Sequence, residues 1–234
     1  MADRFFTPNP IPLGEFVLDG PEGHHLATVR RFALGDRVVL FNGDGHDYPA
    51  EVLSLGKKSA VLTVDPPIVV NREIGFKLVV ASALPKGDRA DFLIEKLTEL
   101  GVTRFIPLIT TRSVVVPKEN VVEKFTRAVI EASKQCGRNV LMAIERPCRW
   151  NELIQRTNGS MVRYVLDTFH QVEPFRGDSK KRQDVLIAIG PEGGFTAEEV
   201  ATSIQAEWQP VTLGPRVLRV ETAALAAVAR LTSD

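Results

Sequence analysis

The sequence predicts an α/β protein: a mainly parallel sheet with helices over its longer C-terminal part, preceded by a small β-rich domain. Three observations carry this. From about residue 76 onward, strand-like apolar runs alternate with helical patterns, the order of βα units that build a parallel sheet. Val185-Leu186-Ile187-Ala188-Ile189 is five consecutive apolar residues, three of them β-branched. That is too short for a lone helix and apolar enough for a strand buried on both faces. Before residue 70, short strands instead follow one another across turn signals, the pattern of a small barrel or sandwich.

In that first part, Glu15-Phe16-Val17-Leu18 reads as a strand. Asp19-Gly20-Pro21-Glu22 then turns into a short helix running to about Arg31. Arg37 to Phe41 and Tyr48 to Leu53 flank Asn42-Gly43-Asp44-Gly45, a glycine-rich hairpin signal. Ser59 to Val64 is a further strand, closed by Asp65-Pro66-Pro67. The prolines and Asn71-Arg72-Glu73 make a linker, which predicts domains at 1–72 and 73–234.

In the second part, Phe76 to Ala83 is an apolar strand followed by Leu84-Pro85-Lys86-Gly87. Asp88 is placed to cap a helix whose Leu93, Leu97 and Leu100 share one face, and Gly101 ends it. Arg104 to Thr110 is the next strand. Asn120 opens a helix with Val121, Phe125, Val129 and Ala132 at helical spacing, closed by Gly137. Leu141 to Ile144, Met161 to Leu166, Val185 to Ile189 and Val211 to Leu213 are further strands. Helices start near Asn151, at Thr196 and near Val217. Pro174 to Gln183, with Arg176, Lys180, Lys181 and Arg182, reads as a loose segment.

Composition excludes several classes. A hydrophobic content of 44% and a charged content of 25% are those of a globular protein. No apolar run approaches the roughly 20 residues that span a bilayer, and the N-terminus lacks the pattern of a signal peptide. Two cysteines, Cys136 and Cys148, form no framework, which predicts a reducing, cytoplasmic setting. The four histidines are not spaced as metal ligands, so no metal is expected. Net charge is zero, which argues against binding nucleic acid through bulk charge alone. The charge is unevenly spread, however. Residues 1–75 hold 7 basic against 10 acidic side chains, and residues 103–150 hold 9 against 4. The second stretch is either a solvated helix face or a footprint for a polyanion.

Chemistry concentrates in two glycine loops. Gly190-Pro191-Glu192-Gly193-Gly194 follows the most apolar strand, and Thr196-Ala197-Glu198-Glu199 has the form of a capping box that starts a helix. Leu213-Gly214-Pro215-Arg216-Val217-Leu218 likewise lies between a strand and a helix. Consecutive strand-loop-helix units place both loops at one edge of a parallel sheet, where open α/β sheets bind nucleotide-like ligands. Neither loop supplies the lysine of a phosphate-binding P-loop, no G-x-G-x-x-G follows the first apolar strand, and there is no G-x-S-x-G elbow. His170 near Asp167 is only a weak hint of a base.

Together, Ile189-Gly190-Pro191-Glu192-Gly193-Gly194-Phe195 and Leu213-Gly214-Pro215-Arg216-Val217-Leu218-Arg219-Val220-Glu221-Thr222-Ala223 resemble the SPOUT methyltransferases. More narrowly, they resemble the RsmE-type family, which methylates N3 of a uridine in bacterial 16S ribosomal RNA. The likeness extends through Arg4-Phe5-Phe6, His25 with Arg30, Lys86-Gly87-Asp88-Arg89, Lys96, Thr98-Glu99-Leu100-Gly101 and Glu131 to Arg138. It departs at Val220, where the family usually has threonine, and at Cys136, where serine is common.

The resemblance implies an N-terminal PUA-like RNA-binding barrel and a C-terminal SPOUT-type α/β domain with a trefoil knot. It implies S-adenosylmethionine as methyl donor, small-subunit ribosomal RNA as substrate, and a homodimer. Leu166, Ile189, Gly190, Glu192, Gly193, Leu213, Gly214, Val217 and Leu218 would form the cofactor pocket. Arg219 is the first candidate to stabilise a uracil anion, with Glu221 and Glu192 as base or orienting group. Both carboxylates equally fit a second role, complementing a helix dipole. Arg4, Arg30, Arg31, Arg112 and Arg138 are the basic residues expected at RNA, although Arg138 could instead neutralise helix carbonyls. The rival readings are a non-catalytic RNA-binding or ribosome-assembly protein, another α/β nucleotide-binding enzyme such as a transferase acting on a small metabolite, and a methyltransferase acting on a different RNA.

Overall fold

The structure is a computed structural model that describes residues 3–29, 32–118, 120–156, 161–167, 172–177 and 183–232. The chain divides into two compact units. The first comprises the residues up to Glu73 together with Ser133–Leu141, and the second comprises Ile74–Ala132 and the chain from Met142 on. The proline-rich linker predicts a single cut at 72/73, so the return of residues 133–141 to the first unit is a departure from the expected 1–72 and 73–234 division. Local composition does not reveal it, because the tie is a set of long-range polar contacts described below.

The first unit is a six-stranded sheet of β1 (Arg4–Phe6), β2 (Gly14–Leu18), β3 (Arg37–Phe41), β4 (His46–Leu55), β5 (Ala60–Val64) and β6 (Ile68–Val69). Its order is β1-β3-β4-β5-β2, with β6 on β4. Neighbours are antiparallel except β1 and β3, where Phe5 lies opposite Leu40. Three residues carry no readable period, which is why β1 escapes a sequence reading; its partner creates it. The short helix is α1 (Gly20–His24), with Pro21 in its first turn, and His25–Val29 continues as a wider π-type turn. Phe5, Leu18, Leu26, Val38, Leu40, Val52 and Leu62 share one core. Each such buried side chain contributes about 1.5–3 kcal/mol relative to exposure.

The second unit holds an eight-stranded parallel sheet. Its strands are β7 (Leu78–Ser82), β8 (Arg104–Ile109), β9 (Ala143–Ile144), β10 (Cys148–Arg149), β11 (Val162–Leu166), β12 (Glu173–Pro174), β13 (Val185–Ile189) and β14 (Gln209–Thr212). The order is β10-β8-β7-β13-β11-β14-β12, with β9 on β8, and every pairing is parallel. Every residue of β13 is buried, as a strand between two parallel neighbours requires. Helices α2 (Arg89–Glu99), α3 (Val121–Cys136), α4 (Trp150–Arg156), α5 (Ala197–Gln205) and α6 (Val220–Thr232) alternate with the strands. Leu93 and Leu97 of α2 and Phe125 and Val129 of α3 are buried, as their spacing predicts.

Two helix starts differ in kind. Thr196 caps α5 with a complete capping box: its hydroxyl accepts from the Glu199 amide while the Glu199 carboxylate accepts from the Thr196 amide. Asp88 precedes α2 but makes no side-chain cap bond, because its own backbone is already helical. Gly101 ends α2 at φ +84°, in the left-handed region, its amide bonded to the Thr98 carbonyl.

Candidate functional site

The last residues of β11 and β13, Leu166 and Ile189, are register partners, so they stand side by side at the C-terminal edge of the sheet. A narrow cleft opens there. Its walls are Leu166, Ile189, Gly190, Pro191, Glu192, Gly194, Val217, Leu218, Val220 and Ala223. Strand β13 delivers the first glycine loop and β14 the second, and α6 begins directly after the second. The cleft therefore joins both loops at the carboxyl ends of parallel strands, the usual place for ligands in open α/β sheets.

The first loop is anchored from behind. Phe195 is buried, with its ring centroid 4.6 Å from that of Trp150, and Trp150 packs in turn against Trp208 at 5.3 Å. The indole of Trp150 donates to the Glu199 carbonyl at 3.0 Å. A Cβ on Gly190 would stand 3.0 Å from the Phe195 ring. A side chain there would press on the packed Phe195 ring, a reason for the glycine that the bare motif does not disclose.

The loop is also tied to the segment after β8. Arg112 Nη1 donates to the Gly193 carbonyl at 2.7 Å and to that of Phe195 at 3.4 Å. Buried Glu199 accepts from the Thr111 amide at 2.8 Å and from its hydroxyl at 3.0 Å. One carboxylate thus closes the α5 cap and holds the neighbouring loop.

Six residues expected at a cofactor line the cleft: Leu166, Ile189, Gly190, Glu192, Val217 and Leu218. Gly193 does not; a Cβ there would meet Arg112 at 3.4 Å. Leu213 and Gly214 are not on the walls either. Gly214 instead takes part in a turn in which its amide donates to the Thr212 hydroxyl at 3.2 Å. Pro191, Gly194, Val220 and Ala223 also line the cleft. The first two belong to the first glycine motif and the other two to the second.

Of the charged candidates, Glu192 lies on the wall and is exposed, while Glu221 is buried in the first turn of α6. Arg219 is exposed just before α6, and no carboxylate among the described residues pairs with it. Arg89, which sequence reasoning left without a role, stands 3.3 Å from Glu221 and 3.9 Å from Glu192. Its proximity to both comes from α2 lying against α6, a long-range fact.

The basic residues expected at RNA separate sharply. Arg4 is only 7% exposed and makes a two-pronged ion pair with Asp47, 2.9 Å at each contact. Arg138 is 3% exposed and pairs with Glu73. The charge of both is matched inside the first unit, so neither guanidinium is presented to a phosphate, contrary to the expectation. Arg112 is exposed but engaged with the glycine loop. Arg30 and Arg31 lie outside the described residues, as do His170, Lys180, Lys181 and Arg182. Among the described residues no group of three or more His, Cys, Asp or Glu side chains is placed to hold a metal ion, and no helix is long and apolar enough to cross a membrane.

Fold and cleft together define a class: an open α/β protein with a cleft at the carboxyl ends of parallel strands, carrying a separate β unit. Comparison narrows it. The pattern of the RNA methyltransferase domain matches residues 72–232, and that of the RNA methyltransferase PUA domain matches residues 18–65. The chain belongs to the RNA methyltransferase family that these domains define. It is 33% identical to the ribosomal RNA small subunit methyltransferase E of Bacillus subtilis, over 92% of this chain and 89% of that one. It is 31% identical to the protein of the same name from Synechocystis, over 99% of this chain and 77% of that one. Among solved structures, it is similar to a Neisseria gonorrhoeae ribosomal RNA small subunit methyltransferase E bound to S-adenosyl methionine. The TM-score there is 0.89 at 28% identity, covering 98% and 96% of the two chains. A methyltransferase from Legionella pneumophila in complex with the same cofactor gives 0.86 at 31%, covering 99% and 97%.

Proposed function

We propose that this chain transfers a methyl group from S-adenosylmethionine to N3 of a uridine in small-subunit ribosomal RNA. The observation that carries the reading is the cleft itself: apolar walls from Leu166, Ile189, Val217 and Leu218, with Glu192 as the one charged side chain among the described residues that line it. The family membership and the named relatives support it.

The residues present suit this cofactor. It is a cation without phosphates, and among the described residues the cleft walls carry the Glu192 carboxylate and no lysine or arginine. Leu166, Ile189 and Leu218 would hold the adenosine portion, and Glu192 would face the positive end. When bound, S-adenosylmethionine supplies a methyl group on a positively charged sulfur.

The rest of the chemistry falls to side chains. Uracil N3 carries a proton at neutral pH, so a base must take it and a cation must favour the anion. Arg219, exposed beside the cleft and unpaired among the described residues, supplies the cation near the uracil oxygens. Glu221 would be the base: its carboxylate would take the N3 proton, leaving the electron pair on N3 for the methyl group that the cofactor would supply. Alignment of the two partners provides much of the acceleration.

Substrate RNA is bound through local contacts rather than net charge, with Arg30, Arg31 and Arg112 as the phosphate partners and the PUA domain as the larger surface. The same reading takes the working form as a homodimer acting on ribosomal RNA in the cytoplasm, and the parallel sheet as carrying a trefoil knot. Two measurements test it. Calorimetry should show S-adenosylmethionine binding; no heat would favour a non-catalytic RNA-binding protein. Mass mapping of small-subunit RNA from cells lacking the protein should reveal one missing methyl group on a uracil. An intact 16S pattern with a methyl lost elsewhere would move the activity to another RNA.

A further inference from the structure

The run Lys86-Gly87-Asp88-Arg89 leads from β7 into α2. Its last residue stands between a carboxylate of the cleft wall and one buried beside it. Arg89 Nη1 lies 3.3 Å from Oε1 of Glu221 on α6 and 3.9 Å from Oε1 of Glu192 in the first glycine loop. Glu192 is exposed and its link is long, so the pair with Glu221 dominates. Glu221 is 7% exposed, and its other oxygen, Oε2, is buried with no hydrogen-bond partner among the described residues. A buried carboxylate oxygen left open in this way is costly, and such orphans call for a role. Val220 and Ala223, neighbours on the same helix turn, line the cleft.

We infer that Arg89 is a positioning residue: it occupies Oε1 of Glu221 and leaves Oε2 as the open acceptor for an N–H donor brought into the site. This rests on the methyltransferase reading given above. Two reactants can bring such a donor, the amino group of the cofactor and N3 of uracil. If the donor is uracil N3, its proton passes to Oε2 and its electron pair forms the bond to the methyl carbon, while sulfur keeps the pair of the broken carbon–sulfur bond. Arg89 touches neither reactant in this scheme. It fixes the carboxylate and, through Glu192, tethers the glycine loop to the start of α6.

The test compares wild type with Arg89→Ala, Arg89→Lys, Glu221→Gln and the double variant Arg89→Ala/Glu221→Gln. S-adenosylmethionine affinity is read by calorimetry, and kcat and KM from methyl incorporation into small-subunit RNA. Arg89→Ala should lower kcat about 10- to 100-fold, within the range of general-base effects, with KM for RNA changed less than about 3-fold. Arg89→Lys should recover a good part of the loss. In the Glu221→Gln background, removing Arg89 should have little further effect. A kcat loss in Glu221→Gln at unchanged cofactor affinity assigns the donor to uracil; a matching loss of affinity assigns it to the cofactor. Either supports the acceptor role. Normal kcat in Arg89→Ala, or losses from Arg89 and Glu221 that multiply independently, would overturn the inference. An inactive wild type would instead sink the methyltransferase reading, and the melting temperatures of the four variants would still show whether Arg89 and Glu221 are coupled.

Discussion

Arg112 donates to the carbonyl oxygen of Gly193 at 2.7 Å, so the segment after β8 braces the loop after β13. Arg112→Ala should leave the fold intact, since the side chain is exposed. A charge-assisted hydrogen bond of this kind is worth about 1.5–3 kcal/mol when fully formed, and less at the surface. We expect cofactor affinity to fall roughly 5- to 10-fold by calorimetry, with almost no change in melting temperature. Unchanged affinity would mean that the loop holds its shape through Phe195 alone.

The pair of Arg4 and Asp47 makes the opposite prediction. Both are buried, and Arg72 and Asn139 add further bonds to the same carboxylate. Arg4→Ala leaves the buried Asp47 carboxylate with Arg72 as its remaining cationic partner and should cost up to about 3–5 kcal/mol of stability, read as a shift in the urea midpoint. The loss of RNA binding that accompanies it should track unfolding rather than a missing phosphate contact.

The same carboxyl sets an acid limit. Burial alone would raise the Asp47 pKa, but the hydrogen bonds and charge of Arg4, and then of Arg72, outweigh it and hold it below the ordinary 3.8. A depressed carboxyl adds stability that is present above its unfolded value and lost as pH falls through the folded one. The urea midpoint should therefore drop below about pH 4, and Asp47→Asn should flatten that part of the profile while lowering stability at neutral pH.

Arg219→Ala should reduce kcat about 100- to 1000-fold, the usual cost of losing one donor to a developing anion, while S-adenosylmethionine affinity changes little. Equal loss of both would count against a transition-state role and place Arg219 in cofactor binding.

The two thiols should behave differently. Burial, reinforced by the negative charge of Glu152, pushes the Cys148 thiol up to about 11, whereas Cys136 is half-buried at the end of α3. Iodoacetamide at about pH 8 should add one adduct per native chain, on Cys136, because the thiolate is the reactive form. Cys136→Ala should abolish it, and two adducts under native conditions would show that Cys148 is exposed.

Much of this was legible in the residues. The apolar run of β13, the Leu93–Leu97 face of α2 and the capping box at Thr196 are local patterns, and local physics fixes them. Strands β1, β10 and β12 were not, since two or three residues have no period and exist only because a partner strand lies beside them. The site divides in the same way. Leu166, Ile189, Gly190 and Leu218 are what the family resemblance of the two glycine loops implies. Arg89 becomes visible only when α2 and α6 pack, and the burial of Arg4 and Arg138 only when carboxylates distant in sequence close around them. A basic residue and a basic surface are different things, and the sequence does not distinguish them.

The return of residues 133–141 to the first unit bears on how such a protein could be inherited or dissected. Asn139 bonds Asp47 and the Val70 carbonyl, Arg138 pairs with Glu73, and Lys134 reaches Glu22. A fragment ending at residue 73 would lack all three and expose the acidic groups they neutralise. The β unit is therefore not a module that recombination could lift out with one crossover: an exchange between relatives would have to carry a second, short stretch from inside the catalytic half, or accept a misfolded hybrid.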